Sequence, residues 1–156
     1  MWMFFLSLGL AAQSAAPTCR TADVRVEALI SSKAKELGAS EYCQFRLYHT
    51  LDDVDGDRQP DFIVVFGLEG LRGGGNAASQ FLAVFSSRAD WKPASVQVGS
   101  RTRQVTAIAV DPDGTIVLTT LEHRATDPMC CPSGHGEARY GLHGDRLVAV
   151  KSGRSS

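Results

Sequence analysis

Along this chain the spacing of apolar residues changes character once. Over residues 24–38, VRVEALISSKAKELG, apolar positions recur every three or four residues. Val26, Leu29, Ile30, Ala34 and Leu37 then share one face of a helix, and Gly38 stands where a helix C-cap is expected. Beyond Gly38 the helical period is lost. QFRLYHTL (44–51) alternates, with Phe45, Leu47 and His49 on one side. DFIVVFGL (61–68) and QFLAVFSS (80–87) are continuously apolar, which predicts strands buried on both faces. Shorter strands are expected at 95–99, 104–110, 115–122, 138–143 and 146–150, with a turn at Asp111-Pro112-Asp113-Gly114.

Roughly seven or eight short strands separated by turn residues predict a mainly β fold. The expected architecture is an antiparallel sheet with one N-terminal helix against it, arranged as a small barrel, a sandwich or a propeller-like sheet. No internal repeat is evident, which counts against a complete propeller.

The chain has 156 residues, the length of one domain. Residues 1–12, MWMFFLSLGLAA, carry no charge and hold an apolar block of signal-peptide length. Cleavage after Ala12 or Ser14 fits the small residues that follow. The block is shorter than the ~20 residues of a membrane-spanning helix. The expected organisation is a cleaved signal over 1–14, one β-rich domain over 19–150 and a loose polar tail over 151–156. The product is expected to be exported, to a periplasm or beyond, with no membrane span once the signal is removed.

Export changes the reading of the four cysteines, Cys19, Cys43, Cys130 and Cys131. An even number in an oxidising compartment implies disulfides. A bond between the adjacent Cys130 and Cys131 closes a strained ring and ranks lowest. The favoured scheme joins Cys43 to one of that pair and Cys19 to the other. Closing roughly ninety residues with the first bond is worth about 4 kcal/mol in the chain-entropy model. Net charge is −1, and Lys and Arg are scattered without forming a stripe. That distribution argues against nucleic acid and against an anionic membrane surface as partners.

The densest chemistry lies in DDVDGDRQPDFIVV, residues 52–65, with Asp52, Asp53, Asp55, Asp57 and Asp61 ahead of an apolar strand. Crowded carboxylates repel: at ~4 Å each pair costs roughly 1 kcal/mol even in water. A hard cation, calcium above all, relieves that repulsion by taking six to eight oxygens. Counting from Asp53, carboxylates fall at positions 1, 3, 5 and 9, and Gln59 at position 7 offers a backbone carbonyl. The candidate ligands are therefore Asp53, Asp55, Asp57, Gln59 and Asp61, with Gly56 permitting the sharp bend. The loop is no EF-hand, because Val64 holds the place of the bidentate Glu and a strand follows. It resembles the calcium loop of integrin-type FG-GAP repeats, Asp-x-Asp/Asn-Gly-Asp-Gly-x-x-Asp before an apolar strand. Arg58 replaces the second glycine of that pattern. The resemblance implies a structural calcium ion that pins a strand hairpin. The competing reading is a solvated acidic turn.

The segment 121–142, LEHRATDPMCCPSGHGEARYGL, gathers His123, Met129, Cys130, Cys131 and His135 in sequence. It reads as a disulfide-stapled loop, with a zinc or copper site as the alternative. Together the export signal, the Asp loop, the Gly-rich loop and the Cys-Cys-Pro-Ser segment resemble those of a group of small exported bacterial proteins. The Asp loop in a small exported β-domain also resembles periplasmic calcium-bearing immunity proteins that block lysozyme-like toxins.

Catalytic motifs do not assemble. Ser32-Lys33-Ala34-Lys35 matches Ser-x-x-Lys by chance, and Glu69 and Glu122 are ordinary strand-end acids. GLRGGGN, residues 70–76, has no following Lys-Ser/Thr and is no phosphate loop. The expectation is a non-catalytic, calcium-binding exported domain that binds another protein, a cell-wall hydrolase or toxin being the concrete case. Gly70, Arg72, Gly73, Gly74, Gly75 and Asn76 form its contact loop. The alternative is a small envelope enzyme or transition-metal-handling protein built on 121–135.

Overall fold

The computed structural model describes residues 19, 23–74 and 78–151. The expected signal segment, Gly75, Asn76 and most of the polar tail lie outside the described residues. One helix, α1 (Val24–Leu37), precedes eight strands: β1 (Ser40–His49), β2 (Phe62–Glu69), β3 (Ser79–Phe85), β4 (Pro93–Gly99), β5 (Arg103–Val110), β6 (Ile116–Glu122), β7 (Gly134–His143) and β8 (Arg146–Val150). The strands form two four-stranded antiparallel meanders, β1-β2-β3-β4 and β5-β6-β7-β8. The fold is mainly β, as the alternation and apolar runs predict. Its two sheets stack as a sandwich and do not close into a barrel.

Helix α1 starts where Asp23, in extended conformation, accepts the Arg25 N–H, and it stops at the left-handed Gly38. Its buried residues are Val26 and Ile30, with Leu29, Ala34 and Leu37 half-buried beside them. These pack on Val64, Phe66, Leu68, Phe81, Ala83 and Phe85 from one face of the first sheet. The other face presents Ile63, Val65, Leu82, Val84 and Val98 to Val105, Ile116, Leu118 and Tyr140 of the second sheet. The first sheet is thus a middle layer, and its central strands β2 and β3 are apolar on both sides for that reason. Full burial of a Phe side chain such as Phe66 or Phe85 contributes about 1.5–3 kcal/mol.

Two polar devices tie the layers. Arg46, on β1, binds both carboxylate oxygens of Glu27 on α1 (2.7 and 3.1 Å) and both of Glu41 (2.5 and 2.8 Å). Burial alone lowers its pKa, but those carboxylates hold it above the ordinary arginine value. Gln80, 2 % exposed on β3, bonds across the sandwich to both backbone groups of Val105 on β5, at 2.6 and 3.0 Å.

β1 begins four residues before the alternating stretch 44–51 (40 against 44). Its register shifts between Tyr42 and Leu47, and a bulge hides strand periodicity. There Phe45 lies over Gly67, where an added Cβ falls 2.6 Å from the ring. The cysteines pair differently from the favoured scheme. Cys19 bonds Cys43, and Cys130 bonds Cys131. β1 holds Cys43 against the chain ahead of α1, while Cys130 and Cys131 share one exposed turn of the β6–β7 loop. Among the described residues no helix is long and apolar enough to cross a membrane.

Candidate metal centre

The acidic loop 52–61 joins β1 to β2, and its backbone is organised by its own carboxylates. Asp53 Oδ1 accepts the N–H groups of Asp55, Gly56 and Asp57 at 3.1, 2.7 and 3.2 Å, and Oδ2 accepts that of Arg58 at 2.7 Å. The Arg58 bond first, and the other three after it, lower the pKa of Asp53. Asp55 Oδ1 takes the Asp57 N–H, and Asp57 Oδ1 takes that of Gln59. The loop turns through Gly56 at φ 76° and Arg58 at φ 68°, both left-handed. Gly56 enters that region without penalty. Arg58, standing where the FG-GAP pattern has glycine, adopts the backbone that glycine favours and bears the steric cost.

Neighbouring segments hold the loop from outside. The Asp61 N–H donates to the Asp52 carbonyl at 2.9 Å, and Asp52 pairs with His49 at 2.5 Å. Val54 turns inward and joins the core between the sheets. The β3–β4 turn supplies two hydroxyls: Ser86 donates to Asp55 Oδ2 and Ser87 to Asp57 Oδ2, each at 2.5 Å. Sequence reading missed both serines. Their signal, Ser-Ser-Arg directly after a buried strand, becomes readable only once β3 is known to lie beside β2.

One carboxylate oxygen each from Asp53, Asp55 and Asp61 lies within 4.8 Å of the others. Asp61 is 1 % exposed. Its Oδ2 accepts the Val54 N–H at 2.8 Å, whereas Oδ1 is buried without a hydrogen-bond partner. Burial, followed by the charges of Asp55, Asp57 and Asp53, pushes its pKa up to about 6. A buried carboxylate oxygen with no donor, facing two further carboxylates, is what a hard cation satisfies. The residues present fit such an ion. Of the other candidate ligands, Asp57 stands outside the triad, and Gln59 is exposed.

Elsewhere the candidate residues disperse. Among the described residues the acidic triad is the sole group of three or more metal-ligating side chains to come together, so His123, Cys130, Cys131 and His135 do not. The glycine-rich loop starts at Gly70 (φ 73°), makes one 3-10 turn over Leu71–Gly73 with Arg72 at φ 55°, and its Gly74 lines a groove at that end of the sandwich. Glu122 is bound to Arg103 at 3.0 Å and Glu69 ends β2, so the two acids play separate parts. In comparisons with known proteins, the chain matches no family model, no curated protein and no solved structure.

Proposed function

We propose that the chain is a non-catalytic, calcium-stiffened β-domain of an exported protein that docks on another protein. The observation that carries this reading is the Asp61 carboxylate, buried, half-unpartnered and grouped with Asp53 and Asp55. A buried charge left in that state costs stability, and a divalent ion at the triad reverses the sign of the local field. Ca²⁺ suits the site better than Zn²⁺, because the donors are all oxygens. Three carboxylates leave further coordination positions to backbone carbonyls and water, the arrangement of a site of modest affinity. Such a site fills at the high calcium levels outside cells and stabilises the fold by mass action.

Two disulfides are compatible with an oxidising destination. The resemblance to calcium-bearing immunity proteins makes a cell-wall hydrolase or a delivered toxin the proposed class of partner. The metal-handling alternative at 121–135 draws no support from the geometry, since Cys130 and Cys131 are bonded to each other.

Isothermal titration of the chelator-treated protein with CaCl₂ tests the metal reading. The expected result is one saturable site with Kd on the order of 10⁻⁵ to 10⁻³ M, abolished in Asp61→Ala. Absence of heat at millimolar calcium, or the same isotherm in Asp61→Ala, rejects it.

A further inference from the structure

The end of the sandwich remote from the acidic loop is open. Strand β2 starts beside that loop and finishes eight residues later at the glycine-rich loop, roughly 25 Å away. The β4–β5 and β6–β7 connections meet at this far end, with Gly74 and Ala78 from the described flanks of the β2–β3 connection. Between them lies a groove of about 980 Å³. Phe45 and Gln80 line it from the first sheet, Arg101 and Arg103 from the β4–β5 turn and β5, and Met129 and Cys130 from the β6–β7 loop. A second hollow of about 460 Å³ continues it past Gly99, sharing Ser100, Thr102, Arg103 and His123. The smaller hollow lies along Gln97–Gly99 of β4, an edge strand of the first sheet.

Charge and exposure single this groove out. Its lining holds two arginines and a histidine and no carboxylate. Arg103 is bound to Glu122, which lines only the smaller hollow. Arg101 is exposed, and its guanidinium has no hydrogen-bond or ion-pair partner among the described residues. Beside these cations Met129, 78 % exposed, offers an apolar contact. Its flexible thioether adapts to varied apolar surfaces. The bonded pair Cys130–Cys131 and Pro132 stiffen the lip on which Met129 stands.

We propose that this groove binds an extended, acidic segment of a partner protein, with one carboxylate on Arg101 and an adjoining apolar side chain against Met129 and Phe45. The inference rests on the reading of the domain as protein-binding, and it supplies the chemistry of the partner. Complementary charge at a partly apolar groove gives both steering and register.

Selection of random peptides of about 12 residues on the immobilised chain tests it. The recovered peptides are expected to be enriched in Asp and Glu next to an apolar residue. In solution, affinity should fall at least about tenfold when the peptide's acids become amides, and equally in Arg101→Glu. Arg146→Glu, on β8 and away from the groove, should leave it unchanged. A cooperative melting transition at the wild-type temperature reports that Arg101→Glu is folded. Neutral or basic consensus peptides, no enrichment, or affinity indifferent to Arg101→Glu overturns the proposal. Binding of an oligonucleotide or of anionic vesicles through Arg101 without acidic-peptide selection also overturns it. Acidic peptides bound by a chain that takes no calcium would defeat the metal reading and leave the groove proposal standing. Calcium binding without peptide selection would do the reverse.

Discussion

Where β2 begins, carboxylates crowd into a loop whose backbone N–H groups, two serine hydroxyls and a histidine all turn toward them. Where β2 ends, two arginines and a histidine line a groove, the Arg101 guanidinium has no partner among the described residues, and a methionine stands in solvent. Both ends are built from loops on the same two sheets, yet they distribute unsatisfied chemistry in opposite ways. At the acidic end the unmet demand among the described residues is a single buried oxygen, Asp61 Oδ1. At the groove end it is spread over the lining of an open groove. On the proposed reading, the first end supplies a stiff base and the second a rim for a partner.

The two disulfides sharpen this contrast most. Cys19 and Cys43 are 24 residues apart, and closure of that loop restrains the unfolded chain by about 3 kcal/mol. Cys130 and Cys131 are neighbours, so their bond removes almost no chain entropy. Chemical denaturation of Cys19→Ser/Cys43→Ser should show a loss of about 3 kcal/mol, against about 1 kcal/mol or less for Cys130→Ser/Cys131→Ser. Equal losses would mean that the adjacent pair staples the fold and does not merely shape a lip.

Gly67→Ala comes next. The new methyl group meets the Phe45 ring and should cost about 2 kcal/mol by overpacking. Because Phe45 lines the groove, peptide binding should weaken while the calcium-induced rise in melting temperature persists. Loss of the calcium response would show that the ends are coupled. Arg58→Gly acts at the opposite end. Relief of the left-handed strain, less the entropy that glycine adds to the unfolded chain, should stabilise the protein by roughly 0.5 kcal/mol, seen as a small rise in melting temperature.

The smallest effect lies in the β6–β7 loop. Asp127 accepts the Arg124 N–H and both the N–H and hydroxyl of Ser133, and these bonds hold its pKa down to about 2. A depressed carboxyl stabilises the fold above its unfolded value of 3.8, and that contribution is lost as pH falls through about 2. The Ser133 amide shift in an NMR titration should therefore move with a midpoint near 2. A midpoint near 4 would show that the bonds do not form in solution.

Much of this was legible before the fold was known, for identifiable reasons. Helix α1 declared itself through Val26, Ile30 and Ala34 because one face meets a sheet. β2 and β3 did so through unbroken apolar runs because both of their faces are covered. The acidic loop was visible because alternate aspartates and Gly56 encode a tight turn locally. The start of β1 was hidden because its bulge breaks the alternation at Phe45. The cysteine partners, Ser86 and Ser87, the Gln80 bridge to Val105, and the convergence of Arg101, Met129 and Cys130 all depend on which strands become neighbours. No local pattern encodes that.

We propose that a cation at the Asp53, Asp55 and Asp61 triad offsets a buried charge on Asp61 that the metal-free fold bears at a cost. The raised pKa of Asp61 means that, without metal, the native state holds the proton more tightly than the unfolded chain. The metal-free protein therefore loses stability as pH rises from about 4 through about 6, by roughly 2–3 kcal/mol in all. Asp61→Asn removes that charge and can keep the acceptor for the Val54 N–H. The most direct measurement is the melting temperature of wild type and Asp61→Asn at pH 7.5, in chelator and in millimolar CaCl₂. The expected result is a reversal of order: the variant melts higher in chelator and lower in calcium. A variant that shifts in the same direction in both buffers contradicts the account.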